Sequence, residues 1–293
     1  MRAMILASLF GSRGLPYTEI RPKPLFPVLN RPLLLATVDR LRNSGFSDIT
    51  VNCHHLHGQI ADSCRNCDGV FVQYERKILG TGGGLRLACE RMKDEPFLVT
   101  NGDIYHSIDF LDIYRRHLES GNEVTMVLHD SPRFNTVGIS GDYIKTFAQK
   151  SGPGLLAYTG VQVINPAVLK DIKKDKFSCI IEYYRELIAS GRRIGYIAVD
   201  DICWSDMGTP ADYLALHRDL LQGQIPVWPE LGGEIDNSFL VADNSQCSES
   251  CLEGWACVGR AVVEAGARVK RSVIWDGARV KSGELVADAI VIG

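Results

Sequence analysis

Short runs of β-branched and apolar residues alternate with helical periodicities from Arg2 to about Asp200, and this alternation is the tightest constraint on what the chain can fold into. Arg2 to Ala7 reads as a short buried strand that ends in a loop; Pro32 then opens a helix with Leu34, Val38 and Leu41 on one face, stopped near Gly45. Ile49 to Cys53, Val70 to Tyr74, Phe97 to Thr100, Val124 to His129 and Ile194 to Asp200 are further strand-length runs. Between them Leu85, Ala88, Cys89 and Met92 share a helical face, and so do Leu111, Tyr114 and Leu118 behind an N-cap at Asp109. The pattern predicts an α/β fold, a Rossmann-like, mostly parallel sheet with helices on both faces. In such sheets ligands bind beyond the carboxyl ends of the strands.

The texture changes at Gly223, where Gln-Ile-Pro-Val-Trp-Pro-Glu-Leu-Gly-Gly reads as a linker. Residues 1–222 are therefore expected to form one domain, 223–240 a linker and 241–293 a second module. Cys257, Val263 and Val269 stand six residues apart, and after a break of five the ladder resumes at Ile274, Val280, Val286 and Ile292. Ala261, Ala267 and Ala278 precede three of these rungs by two positions, as tight corners require. The repeat resembles a short left-handed parallel β-helix, with room for about two coils. Apolar rungs left exposed on it would suit a homo-oligomer.

The net charge of −3 gives no basic field of the kind that nucleic acid or an anionic membrane needs, so any phosphate binding must be local. The apolar start MRAMILASLF is short and suits a buried strand better than a signal peptide, and no window spans a bilayer. Nine cysteines, an odd number scattered among strands and helices, point to a reducing compartment, the cytoplasm, without a disulfide framework. Cys64 and Cys67 form C-x-x-C and Cys247, Cys251 and Cys257 cluster. A zinc site would need a second pair at suitable spacing, so ordinary packing is the expectation for both groups.

The first strand runs into a long loop, Ala7-Ser-Leu-Phe-Gly-Ser-Arg-Gly-Leu-Pro-Tyr-Thr-Glu-Ile-Arg-Pro-Lys-Pro-Leu-Phe-Pro-Val28. Its glycines let backbone N–H groups approach phosphate oxygens, Arg13 offers a planar fork of donors, and Lys23 is a compact point charge between two prolines. Together they describe a triphosphate cradle. Gly11 and Gly14 do not make G-x-G-x-x-G, and no Walker lysine follows them.

This loop resembles that of the sugar-phosphate nucleotidyltransferases, which reads roughly L-A-(A/G)-G-x-G-T-R-L-x-P-x-T-x-x-x-P-K-P-L-x-P-V. Gly80-Thr-Gly-Gly-Gly84, Val99-Thr-Asn-Gly-Asp103, Tyr158-Thr-Gly-Val-Gln162 and Trp204-Ser-Asp-Met-Gly-Thr-Pro210 resemble that family's later motifs in the same order. The chain departs from the family at Ser8-Leu9-Phe10, where a Gly pair or Ala-Gly is usual, and at Gly14, which replaces a Leu.

The resemblance implies an enzyme in which an oxygen of a sugar 1-phosphate attacks the α-phosphorus of a nucleoside triphosphate and expels pyrophosphate. Repulsion between the two polyanions is the obstacle, and cations with Mg2+ remove it. Arg13 would hold the β,γ-phosphates and Lys23 the α-phosphate, while Asp103 and Asp206 would hold the metal. Asp206 falls just before a helix capped by Thr209, Pro210 and Asp212. Ala7, Ser8, Gly11, Ser12, Gly80, Thr81, Gly82 and Asn101 would line the nucleotide, with Gln73 or Glu75 reading the base. Gly138, Lys150, Thr159, Gly160 and Glu182 would meet the sugar phosphate. The motifs look closest to members using GTP or UTP with mannose-like or amino-sugar phosphates. Two other classes are a non-catalytic sensor of nucleotide sugars, suggested by Leu9 and Phe10, and an acyltransferase working through the β-helix. The latter lacks its histidine base, because the last histidine is His217.

Overall fold

A computed structural model of the chain describes residues 1–8, 11–232, 235, 237–248 and 251–293. Leu9 and Phe10, where the loop departs from its relatives, lie outside them. The chain divides into two compact units, Met1–Phe10 with Val38–Trp204 and Gly11–Thr37 with Ser205–Gly293. Packing thus groups the cationic loop and the segment after Trp204 with the C-terminal module, a division that texture alone does not mark.

The large sheet of the first unit is built from nine strands: β1 (Arg2–Leu6), β2 (Asp48–Cys53), β3 (Val70–Tyr74), β4 (Phe97–Asn101), β5 (Val124–His129), β6 (Val137–Ser140), β7 (Tyr143–Phe147), β8 (Ala157–Ile164) and β9 (Gly195–Ala198). They form one sheet in the order β3-β2-β1-β4-β8-β5-β9-β7-β6. β1 pairs in parallel with β2 and β4, β2 with β3, and β5 with β9, whereas β8 runs antiparallel to its neighbours β4 and β5. The carboxyl ends of β1 to β5 and the start of β8 therefore share one edge.

Helices α1 (Leu33–Asn43), α2 (His57–Cys64), α3 (Gly80–Ala88), α4 (Phe110–Ser120) and α5 (Ile180–Ala189) connect the strands. Met4 and Leu6 point into a core with Leu85, Ala88, Val99, Met126 and Tyr184, while Ala3 and Ile5, on the opposite face by the strand's period of two, are buried as well. Both faces of the sheet are thus covered. The Asp109 side chain caps α4 by accepting from the N–H groups of Leu111 and Asp112. The buried stripe of that helix is Phe110, Ile113, Tyr114 and His117, which leaves Leu118 exposed, contrary to expectation. Pro32 belongs to a two-residue strand pairing Arg31–Pro32 with Pro27–Val28, so α1 begins one residue later.

The second unit holds α6 (Pro210–Leu221) and a parallel stack of β10 (Phe239–Val241), β11 (Leu252–Val258), β12 (Val262–Val263), β13 (Arg268–Ile274), β14 (Arg279–Val280), β15 (Leu285–Ala287) and β16 (Ile290–Val291). Phe239 lies beside Ala256, Ala256 beside Ser272, and Val273 beside Ile290, three steps of a parallel coil. The stack is consistent with the expected β-helix, but it starts inside the segment read as linker and makes three steps where two were expected.

Asn237, Gly254, Arg271 and Asp288 fall seventeen residues apart, and all four have positive φ, 46°, 73°, 48° and 51°. One corner of every coil thus demands a left-handed residue whatever its side chain. The rungs Val263, Val269, Ile274, Val280 and Val286 point inward, buried against one another and against Ala261, Ala267 and Ala278, whereas Cys257, expected as the first rung, is buried on the other face of its strand with its thiol toward Asn30. The rungs are not an exposed face waiting for a second protomer. Arg268–Glu253, Arg260–Asp276, Arg271–Asp288 and Arg279–Glu264 link successive coils from outside, and such exposed pairs contribute little each. Among the described residues, no helix is long and apolar enough to cross a membrane.

The buried rungs supply the solenoid's stability. Ile274→Ala should lower the unfolding free energy of this unit by about 2–5 kcal/mol, read as an earlier transition in urea. A transition left in place would mean that the rung is not packed.

Candidate active site

In the first unit, the sheet edge is organised by a buried amide. Asn52, at the end of β2, accepts from the Ala7 N–H at 2.8 Å and donates to Ser8 Oγ at 2.9 Å and to Glu75 Oε1 at 2.7 Å. The other Glu75 oxygen accepts from the Leu79 N–H at 3.5 Å, and Gln73 donates to the Gly84 carbonyl at 3.0 Å. A Cβ on Gly84 would stand 2.6 Å from Glu75 Oε1 and 2.8 Å from Asn52 Nδ2, so the glycine makes room for this bracket. Burial raises the Glu75 pKa, and the surrounding hydrogen bonds oppose the shift only in part. Asn52 was not anticipated; its signal was a polar residue inside an otherwise apolar strand. Glu75 and Gln73 hold the loop ends together with their side chains.

The Gly80-Thr-Gly-Gly-Gly84 stretch forms the first turn of α3. Gly82 donates its N–H to the Ser178 carbonyl at 2.8 Å, and the Thr81 hydroxyl accepts from the Ile180 N–H at 3.0 Å. Gly80 has φ +70°, and a Cβ there would stand 2.6 Å from Ser178 O. These glycines admit the segment before α5 against the helix terminus, and Gly82 and Thr81 have protein partners.

Asn101 ends β4, and Gly102 extends the ladder by donating to Leu6 O at 2.9 Å, which sets the partly buried Asp103 at the sheet edge. Opposite Asn101, Gly160 has φ +85°; a Cβ there would stand 2.9 Å from Asn101 Nδ2. Thr159 is buried with its hydroxyl donating to Val127 O at 2.9 Å, inside a bulge, while its carbonyl accepts from Trp204 Nε1 at 2.9 Å. Trp204 also packs on His129 and Phe134, at 4.8 and 5.2 Å between ring centroids. His129 is buried, its Nε2 has no hydrogen-bond partner among the described residues, and desolvation lowers its pKa.

Gly138 lies in β6, where a Cβ would stand 2.6 Å from Thr146 Cγ2. Lys150 is exposed after β7, near a cleft of about 680 Å³ lined by Asp130, Asn135, Gly152 and Leu155. Glu182 is exposed on α5, paired with Arg185, which also donates to Phe147 O at 2.8 Å.

In the second unit the cationic loop closes on the residues after Trp204. Gly11, at φ +66°, starts a 3-10 turn over Ser12–Gly14. A Cβ on Gly14 would stand 2.8 Å from Thr18 Cγ2 and 3.2 Å from Lys23 Cε, so the lysine stem passes beneath the turn. Lys23 is only 4% exposed, and its ammonium donates to the Gly208 carbonyl at 3.0 Å. Arg13 lies above, with its side chain 59% exposed, 3.4 Å from Asp206 Oδ2. Gly208 is the pivot, because a Cβ there would stand 2.8 Å from Arg13 Nη1 and 2.9 Å from Asp206 Oδ2. Thr209 and Asp212 form the expected capping box at the start of α6. Arg13, Lys23 and Asp206 are thus brought together; Gly208 was not singled out, although it lay inside a quoted motif.

The cysteines are free thiols. Burial pushes Cys64 and Cys257 up to about 12, which removes the thiolate character that redox or metal chemistry needs. Among the described residues, no three histidine, cysteine or acidic side chains gather as a metal cluster.

The nucleotidyl transferase family profile matches residues 2–223, so the chain belongs to that family. It is 28% identical over 270 residues to the mannose-1-phosphate guanylyltransferase catalytic subunit beta of Danio rerio, covering 86% of this chain and 74% of that one. Mannose-1-phosphate guanylyltransferase 1 of Arabidopsis thaliana is 26% identical over 272 residues, covering 87% and 75%. In three dimensions the chain resembles HddC from Yersinia pseudotuberculosis complexed with GMP-PN, with a TM-score of 0.62, 23% identity, and coverage of 73% and 97%. That likeness concerns the fold.

Gly208→Ala should push Arg13 away from Asp206 and cut turnover by roughly tenfold or more, with a melting temperature close to that of the unaltered protein; retained turnover would remove Gly208 from the site. Glu75 yields a pH prediction. Because its folded pKa is raised, its contribution to stability is complete below the unfolded carboxylate value and is lost as pH rises through the folded one. The melting temperature of Glu75→Gln relative to wild type should therefore climb as pH rises above about 4, and a flat difference would show that Glu75 ionises as an ordinary carboxylate.

Proposed function

We propose that the chain transfers a nucleotidyl group from a nucleoside triphosphate to a sugar 1-phosphate with release of pyrophosphate. GTP with mannose 1-phosphate is the best pair, ahead of UTP or an amino-sugar 1-phosphate, a preference supported by the names of the relatives. The observation that carries the reading is the meeting of two cations and a carboxylate around Gly208. An exposed guanidinium suits the departing β,γ-phosphates, with which it can form paired hydrogen bonds. The Lys23 ammonium, held beneath the turn, acts as a fixed positive charge that needs no reorganisation when charge develops at the α-phosphate.

Asp103 and Asp206 are the proposed magnesium ligands. Carboxylate oxygens are the hard donors this ion prefers, and Asp206, 11% exposed beside Arg13, is held in place by that contact. When bound, the ion neutralises phosphate charge and favours in-line attack. Ala7, Ser8, Gly11, Ser12 and Asn101 are assigned to the nucleotide, and Lys150, Gly138, Gly160 and Glu182 to the sugar phosphate. Thr159 would act there through its backbone, since its hydroxyl is turned inward. A homo-oligomer in a reducing cytoplasm belongs to the same reading, assembled through surfaces other than the rungs; a monomeric mass in sedimentation would count against it.

The test is pyrophosphate release from a panel of nucleoside triphosphates and sugar 1-phosphates with magnesium, with GTP and mannose 1-phosphate expected to be fastest. Nucleotide binding without release across the panel would identify a non-catalytic sensor. Asp103→Ala should lower turnover by about 10²-fold, and an unchanged rate would remove it from the metal site.

A further inference from the structure

The C-terminal coil grips the cationic loop on both sides of Lys23. Trp275 follows β13, and its backbone is fixed in the solenoid by its N–H donating to Val291 O at 2.8 Å. Its buried indole lies against Phe26, with ring centroids 5.0 Å apart, and beneath the Arg21 guanidinium, 4.6 Å from the ring centre. Its Nε1 donates to Tyr213 Oη at 3.1 Å, and the Tyr213 hydroxyl donates in turn to the Pro27 carbonyl. Tyr17, earlier in the loop, packs on the same indole at 6.1 Å and donates its hydroxyl to Ile290 O at 3.4 Å. Further on, Asn30 donates to Val258 O at 2.9 Å and accepts from Cys257 Sγ at 3.2 Å, in a turn where Leu29 and Asn30 both have positive φ.

We propose that Trp275 is a positioning residue for the phosphate loop: the solenoid serves as the rigid seat that holds Lys23 and Arg13 in register with Asp206. The proposal rests on reading that loop as the triphosphate cradle. An aromatic ring on a β-coil corner is well suited to the task. It gives a large contact area with few rotatable bonds, and the guanidinium above it adds a cation–π attraction that fixes the approach of Arg21. Arg21 and Phe26 bracket Lys23 in sequence, so displacing either moves the lysine relative to Gly208. Misplacement of a binding group by about an ångström can cost up to about 10²-fold in rate.

Trp275→Leu in the full chain tests this with two readouts. Amide hydrogen exchange over residues 11–28 should accelerate at least about tenfold while β4 and β5 keep their protection. In the pyrophosphate assay, KM for the nucleoside triphosphate should rise about tenfold with KM for the sugar 1-phosphate within about twofold, because the seat supports only the triphosphate side. Trp275→Phe, which keeps a ring against Phe26 and Arg21, should restore both readouts to near wild type. Unchanged exchange over 11–28, or equal loss of protection throughout the chain, would overturn the proposal. If Trp275→Leu does not fold, Arg21→Met leaves the solenoid core intact; wild-type exchange and nucleotide KM in that variant would overturn it as well. An unaltered chain that releases no pyrophosphate refutes the catalytic reading instead, while the exchange comparison still decides whether Trp275 seats the loop.

Discussion

A buried ammonium sets the terms for the second unit. Lys23 sits under its own loop, where an uncompensated charge would cost several kcal/mol, so the surroundings are arranged to receive it. Gly11 and Gly14 lack the side chains that would block its stem, and the Gly208 carbonyl accepts a hydrogen bond from its ammonium. The 3-10 turn at Lys23–Leu25, with prolines on either side of the lysine, limits the routes the stem can take. Arg13 meets Asp206 over Gly208, whose missing Cβ leaves room for the guanidinium and the carboxylate. Charge, glycine spacing and proline stiffness thus act as one device.

The sheet edge of the first unit works by a different principle. Asn52 and Glu75 form a hydrogen-bonded bracket, with the amide supplying donors and an acceptor and the carboxyl group closing the ring of hydrogen bonds. Buried polar groups of this kind specify geometry because each unmade bond is expensive. The glycine-rich start of α3 serves the same end by admitting the Ser178 carbonyl against the helix terminus, where first-turn N–H groups need partners. Several glycines that looked like ligand contacts therefore have an intramolecular reason to be glycine, and this does not conflict with a nucleotide lying across neighbouring residues.

Much of the fold was legible. Alternating strands and helices, the Asp109 cap, the Thr209 capping box and the apolar ladder after residue 257 all appear where local periodicity and cap chemistry place them, because each is decided within a few residues. The errors have physical causes. Leu118 fits a helical stripe by spacing, but the face that packs is chosen by the sheet beneath. The ladder of rungs is periodic whether it points inward or outward, so the sequence alone did not say that it lines the solenoid's own core. The coil also begins earlier than its composition suggests, since Phe239–Val241 pairs by backbone hydrogen bonds that leave little trace in residue type.

By itself, the sequence determined the α/β class, the solenoid-like repeat, the loop with Arg13 and Lys23, and the carboxylates Asp103 and Asp206. These depend on residue type and short spacing, which survive as text. Only the tertiary structure decided that Lys23 is buried, that Gly208 is where Arg13 and Asp206 meet, that Asn52 brackets the first loop, and that Trp275 of the C-terminal coil packs on the loop that carries Lys23. Each of these joins residues distant in the chain, and such contacts are chosen by which surfaces bury each other and by the close approach of backbones, neither of which a one-dimensional pattern records.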